Sequence, residues 1–355
     1  DDDALMPDGL ALAAELIKKT KTPVLHCKPA LYKWPDYPLI NRRNYIRLNL
    51  PTTIYSHPNP RVNLYKAYNF EGDINTGPGI YYGLIAKYFL EELKSKRGAY
   101  FIDENADFDS GFATLLYAES FISTTYPIFI AGMCRASNSG HMRFRSLTNK
   151  SILNVVNDAS SSLENFIWSD LAKINSIDVV IISAMRRFIS EINKVIPEKK
   201  IKFNKQKAFD KIASNISSGY DNTNFKAEVR ILNEIAEKWD ISPTAIPNQK
   251  YPLRGLQADK GVNHQAIIGS KNSPSSLVID GNGLGVSNIL DVIKVVESST
   301  TNWLILLKRL GLVTSEKYLD EEPDKTLTEA AITKINEGLL SEAIDFLENN
   351  IIQNP

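Results

Sequence analysis

A chain of 355 residues with 43% hydrophobic and 23% charged residues has the composition of an ordinary globular protein with room for two domains. Lys plus Arg and Asp plus Glu are equal at 41 each, so no global field draws it to nucleic acid or to an anionic membrane. With only two cysteines, Cys27 and Cys134, and no apolar run of the roughly 18 residues that a membrane helix needs, a disulfide framework and a spanning helix are not expected, and the cytoplasm is the default compartment.

The first three residues, Asp1, Asp2 and Asp3, precede an apolar segment. Such a run is either a solvated acidic end or a set of hard oxygen ligands suited to Mg²⁺ or Mn²⁺ holding a phosphorylated substrate. The chain lacks an initiator Met and begins inside this apparent motif, so a preceding N-terminal portion is expected. Pro7 and Asp8 are placed as helix-start residues, and Leu10, Leu12, Ala13, Leu16 and Ile17 recur at helical spacing up to Lys18 and Lys19. Residues 22–27 read as a buried strand. The order of carboxylates, helix and strand is that of a layered α/β domain.

Residues 28–80, rich in Pro, Asn and Tyr, read as long loops of the kind that form binding surfaces. Trp34 and Tyr37 there either stack on a sugar or base or anchor the loop on the core. The stripe Leu84, Ile85, Tyr88, Phe89 and Leu93 predicts a helix over 80–94 that ends in basic residues and Gly98. A short strand over 100–103 follows, then the acidic turn 104–110 opening a helix over 111–121, a buried strand over 128–131 and a small polar loop over 135–141.

From about residue 150 the pattern becomes amphipathic helices, with Phe209, Ile212, Ala213 and Ile216 in one and Val229, Leu232, Ile235, Ala236 and Trp239 in another. Residues 276–280 read as a strand and 287–296 as a helix. The glycines between them, Gly281, Gly283 and Gly285, fit a turn better than a phosphate cradle because no lysine follows and the dinucleotide spacing is not met. Trp303 to Leu307, before Lys308 and Arg309, fits a buried helix or a peripheral membrane contact. Residues 327–347 predict two short helices around Gly338. His26, His57, His141 and His264 lack metal-ligand spacing and read as structural.

Four stretches in this order carry a resemblance. They are Asp1-Asp2-Asp3-Ala-Leu-Met-Pro-Asp-Gly, Tyr32-Lys33-Trp34-Pro35, Ala106-Asp107-Phe108-Asp109-Ser110-Gly111, and the small-residue loop from Gly132 to Gly140. Together they resemble the second half of a family 2 glycosyltransferase over about residues 1–145. The resemblance implies an α/β fold in which residues 1–149 form the C-terminal half of an A-type glycosyltransferase domain and 150–355 a mostly α-helical region. It further implies a nucleotide-sugar donor, a glycan or lipid-linked acceptor, and Mg²⁺ or Mn²⁺ on Asp1 and Asp3, with Asp2 and Arg135 also on the donor side and Arg143 and Arg145 as further candidates for phosphate contact. Asp107 matches the general base of the family, with Asp109 as its understudy.

The chemistry agrees with that assignment. A diphosphate leaving group needs a cation, and an acceptor hydroxyl needs a carboxylate within hydrogen-bond reach to take its proton. An Asp at a helix start is equally an ordinary N-cap. The Gln-x-x-Arg-Trp signature of processive members is absent, so addition of a single sugar is expected. The competing reading is a catalytically silent binding or assembly protein of a surface-polysaccharide pathway. A metal-dependent phosphohydrolase is a third, without the His or Lys motif it would need.

Overall fold

A computed structural model describes residues 3–37, 42–49, 54–71, 74, 77–103, 105–135, 137, 167–174, 176–218, 225–242, 267–268 and 276–309. The chain begins with β1 (Ala4–Leu5) and α1 (Gly9–Thr20), whose closing Lys18 and Lys19 suit the negative end of the helix dipole. Next come β2 (Val24–Cys27), β3 (Ala30–Lys33), β4 (Tyr45–Asn49), β5 (Ile54–His57) and α2 (Pro60–Tyr68), which starts with proline where no amide partner is needed. β6 (Gly83–Ile85) leads into α3 (Lys87–Arg97), ended by Gly98 at φ 87°. Then follow α4 (Ala106–Tyr117), β7 (Phe121–Thr124) and β8 (Phe129–Met133). The remaining labelled elements are α5 (Ile177–Val195), α6 (Lys205–Ser218), α7 (Phe225–Trp239), β9 (Ile267–Ile268), β10 (Ser276–Asp280) and α8 (Ile289–Arg309).

Two mixed sheets organise the described residues, in the orders β1-β8-β3-β4-β10-β9 and β5-β7-β2-β6. They share one continuous feature: β2 runs parallel to β7 in the smaller sheet, and a few residues later β3 runs parallel to β8 in the larger. The amide of Lys28 donates to the Thr124 carbonyl at 3.0 Å between the two ladders, so both strand pairs leave the smaller sheet side by side.

Alternation along the strands divides the core. Leu25, Cys27 and Ile122 face α1 through Ala13 and Leu16, whereas Val24 and Phe121 face the cluster built by α2 to α7. Tyr32, Ile46, Leu48, Ile130 and Ile279 of the larger sheet pack on Val292 and Val296 of α8. The cluster around α4 is continuous across the expected boundary near residue 150, joining Phe112 and Leu115 to Phe188 and Ile212. β10 pairs antiparallel with β4 from Ser276 opposite Asn49 to Asp280 opposite Tyr45.

Several expectations need correction. Residues 80–94 are not one helix: Gly83–Ile85 pair with β2, and the helix runs Lys87–Arg97. An apolar strand directly followed by a helix buried through Phe89 and Leu93 gives one uninterrupted stripe in sequence. Residues 100–103 are not a strand, and the helix expected over 111–121 is Ala106–Tyr117, because Phe121 starts β7 and pairs with His57. The loop-rich stretch 28–80 contains β3, β4, β5 and α2. Residues 281–285 form a turn on Asn44, whose carbonyl accepts from the Gly281 amide at 2.7 Å. Asn44 itself, at φ 54°, accepts from the Tyr32 hydroxyl and donates to Asn282 and to the Val286 carbonyl. The helices expected around Gly338 lie outside the described residues.

Candidate functional site

β3 and β8 are in register from Ala30 opposite Ile130 to Lys33 opposite Met133, and the Trp34 amide continues the ladder by donating to the Met133 carbonyl at 3.0 Å. A turn follows, closed by the Tyr37 amide on the Trp34 carbonyl. β1 lies on the other edge of β8 and runs antiparallel to it, so its start comes to the same end of the sheet as the finishes of β3 and β8. Asp3 therefore stands beside Gly132, whose amide donates to Asp3 Oδ1 at 2.8 Å.

Exposed Arg135 stands two residues after β8, and Ser137 folds back to the Cys134 carbonyl. Trp34 sits with its ring centroid 5.3 Å from that of Tyr32, and Lys33 Nζ lies over the rings of Tyr37 and Tyr45. Three of the four stretches singled out in the sequence thus converge on the carboxyl end of one parallel strand pair, a usual position for ligand sites in α/β sheets. Tyr37 is fully buried and anchors the loop, whereas Trp34 is half-buried. Asp1, Asp2, Arg143 and Arg145 lie outside the described residues.

The fourth stretch is the start of α4. Gly79 packs on it so closely that an added Cβ would stand 2.7 Å from the Asp107 carbonyl oxygen, and the Ile80 amide donates to Ser110 Oγ. Asp107 is half-buried. Burial raises its carboxyl above the ordinary range, outweighing the amides of Phe108 and of Asp107 itself, and the charge of Asp103 adds to the rise.

Asp109 does not fit the understudy role. Two residues further along a helix its side chain points about 200° away from that of Asp107. There Arg97 donates to Asp109 Oδ1 at 2.6 Å and to Oδ2 at 3.1 Å, the Ile102 amide also donates to Oδ2, and only 2% of the carboxylate is exposed. Arg97, whose side chain is wholly buried, holds Glu191 of α5 as well, at 2.7 and 3.1 Å. Asp109 is a structural anion in a three-membered ion cluster. Glu104, the other carboxylate of the acidic turn, lies outside the described residues.

No family model, curated protein or solved structure matches this chain. Among the described residues no group of three or more His, Cys, Asp and Glu side chains is arranged to hold a metal, and no helix is long and apolar enough to cross a membrane.

Sequence reasoning passed over one polar cluster in the smaller sheet. His57 Nε2 and Ser123 Oγ share a hydrogen bond of 2.8 Å, the His57 ring stacks on Phe121 at 4.1 Å, and His26 stands opposite Ser123 on β2. Burial, with Lys28 and His57 nearby, lowers the His26 pKa to about 4, and its Nδ1 is sealed from solvent with no partner among the described residues. Burial lowers His57 as well, and pushes the Cys27 thiol up to about 12, so that thiol is inert. No disulfide joins Cys27 and Cys134. The two histidines stand on the strands either side of β7 and are 31 positions apart in sequence, so they leave no spacing signal.

Proposed function

We propose that this chain transfers a single sugar from a nucleotide-sugar donor to a hydroxyl of a glycan or lipid-linked acceptor, with the donor diphosphate at Asp3 and Arg135 and Asp107 as the base. The observation that supports this most is the convergence of Asp3, Trp34 and Arg135 on the carboxyl end of the β3–β8 pair. The donor set fits a hard divalent cation, because Mg²⁺ is commonly held by one or two carboxylates together with substrate phosphates, and Asp3 is an exposed carboxylate oriented by a backbone amide. Asp3, with Asp1, would hold Mg²⁺ or Mn²⁺, which when bound supplies charge neutralisation to the departing diphosphate.

The chain's own residues do the rest. Arg135 offers an exposed guanidinium to phosphate oxygens, with the geometry for two parallel hydrogen bonds. Trp34 offers an apolar face to the sugar. Asp107, its carboxyl raised by burial, takes the acceptor proton, since a base whose pKa lies nearer the working pH accepts a proton more effectively.

The test is a Mn²⁺ titration followed by electron paramagnetic resonance, in parallel with sugar transfer from a panel of nucleotide sugars. Asp3→Asn is expected to weaken Mn²⁺ binding and transfer together. Unchanged Mn²⁺ binding and transfer in that variant would refute the assignment. Tight donor binding with no turnover by the unaltered protein would replace the enzyme by a binding module.

A further inference from the structure

α3, α4 and α5 enclose a cavity of about 550 Å³, within the size range of small-molecule sites. Its wall includes the Arg97–Asp109–Glu191 cluster, and Arg187 of α5 is paired with Asp103 beside it. Three carboxylates line the space, and each is held by an arginine. Lys96 and Lys194 line it too, and the lining therefore carries four cations against three anions.

The partner of Lys96 is Glu92, one turn back on the same exposed helix face, with both side chains close to half exposed. Such a pair is weak and easily exchanged. For Lys194, exposed near the end of α5, no carboxylate partner is found among the described residues lining the cavity. Apolar surface comes from Phe188, Val195 and Ile102, and Ile102 is 59% exposed beside Phe101 at 40%. The arrangement is a concave site with one more cation than anion in its lining, two exposed lysines, an exposed Ser190 whose hydroxyl donates to the Arg187 carbonyl, and an apolar wall.

We propose that this cavity binds a phosphate-bearing ligand through Lys96 and Lys194, with its organic part against Ile102 and Phe188. A phosphate, with more oxygens and more negative charge than a carboxylate, is the better match for two lysines on one rim. The ligand is either a free phosphate ester or the headgroup of a phospholipid. Phe101 and Ile102 beside the cavity give the second source an apolar contact. This site is independent of the sugar-transfer reading, since none of its residues is Asp3, Asp107 or Arg135.

The experiment is isothermal titration calorimetry with glycerol 3-phosphate at low ionic strength, with glycerol as the blank, and co-sedimentation with phosphatidylcholine vesicles with and without phosphatidic acid. Binding is expected to glycerol 3-phosphate, to phosphatidic acid vesicles, or to both, and to weaken with salt. The double variant Lys96→Gln, Lys194→Gln should weaken it by roughly tenfold to a hundredfold while leaving the melting temperature of the unliganded protein unchanged. Binding to the soluble ester alone assigns a free metabolite. Vesicle binding that is lost in the lysine variant and also in Phe101→Ser, Ile102→Ser assigns a headgroup. Absence of binding to both probes, or equal affinity in the lysine variant, overturns the proposal.

Discussion

Replacing Asp109 by Asn separates a structural anion from a base. The carboxylate accepts two hydrogen bonds from Arg97 and one from the Ile102 amide, and is 2% exposed. Asn keeps one acceptor oxygen, enough for the two donors that share Oδ2, and turns an NH₂ group toward the other guanidinium nitrogen, which can only donate. Breaking a buried ion pair from one side costs about 3–5 kcal/mol. Arg97 retains Glu191 through two further bonds, so Asp109→Asn belongs near the lower end, about 3 kcal/mol. Arg97→Met strands both acids and belongs near the upper end, about 5 kcal/mol. Glu191→Gln should cost least, because that side chain is 16% exposed and water can reach it. Equilibrium guanidinium unfolding, followed by tryptophan fluorescence and by far-ultraviolet circular dichroism, gives the three values if the two signals coincide. A cost below about 0.5 kcal/mol for Asp109→Asn, or Glu191→Gln proving costlier than Arg97→Met, would refute the buried-cluster argument.

Four further outcomes are expected. Asp107→Asn should cut sugar transfer by on the order of 10² to 10⁴ with donor affinity retained, and unchanged transfer would remove Asp107 from the mechanism. The same variant should gain stability relative to the parent as pH rises: a carboxyl raised by burial favours the fold when protonated, and that contribution is lost as pH climbs through its folded value. His26 has the opposite sign. With its folded value lowered to about 4 from 6.5, it contributes about 3 kcal/mol above pH 6.5 that is lost as pH falls toward 4, so His26→Asn should flatten the stability profile over that window. Asn44→Ala removes bonds to Tyr32, Asn282 and Val286 at a residue with φ 54° and should cost about 2–4 kcal/mol in thermal unfolding; a cost near zero would mean the turn at 281–285 does not depend on it.

Legibility in the sequence follows the range of the interaction. α1, α6 and α7 were readable because each buries one regular stripe of its own residues, as Phe209, Ile212, Ala213 and Ile216 do in α6, and β2 and β10 because each is a short apolar run. β4 was hidden among polar residues, since only Ile46 and Leu48 of its five residues are buried. The chain order of the stretches that hold Asp3, Trp34 and Arg135 was legible. The commitment of Asp109 was not, because Arg97 looks like a basic helix end and Glu191, the second acid on that arginine, comes 94 residues later. Local pattern marks an aspartate at a helix start, whereas its partner is decided by packing between helices.

β4 also carries a consequence for biosynthesis. Its hydrogen-bonding partner on one side, β10, lies more than two hundred residues downstream. At ~5–20 residues per second a ribosome takes roughly 10–45 s to make that stretch. Throughout that interval one side of β4 is a bare sheet margin, with Ile46 and Leu48 already turned toward a layer that α8 has yet to cover. Chains terminated before Ser276 would keep that margin permanently, and self-association through it is the expected fate of such fragments.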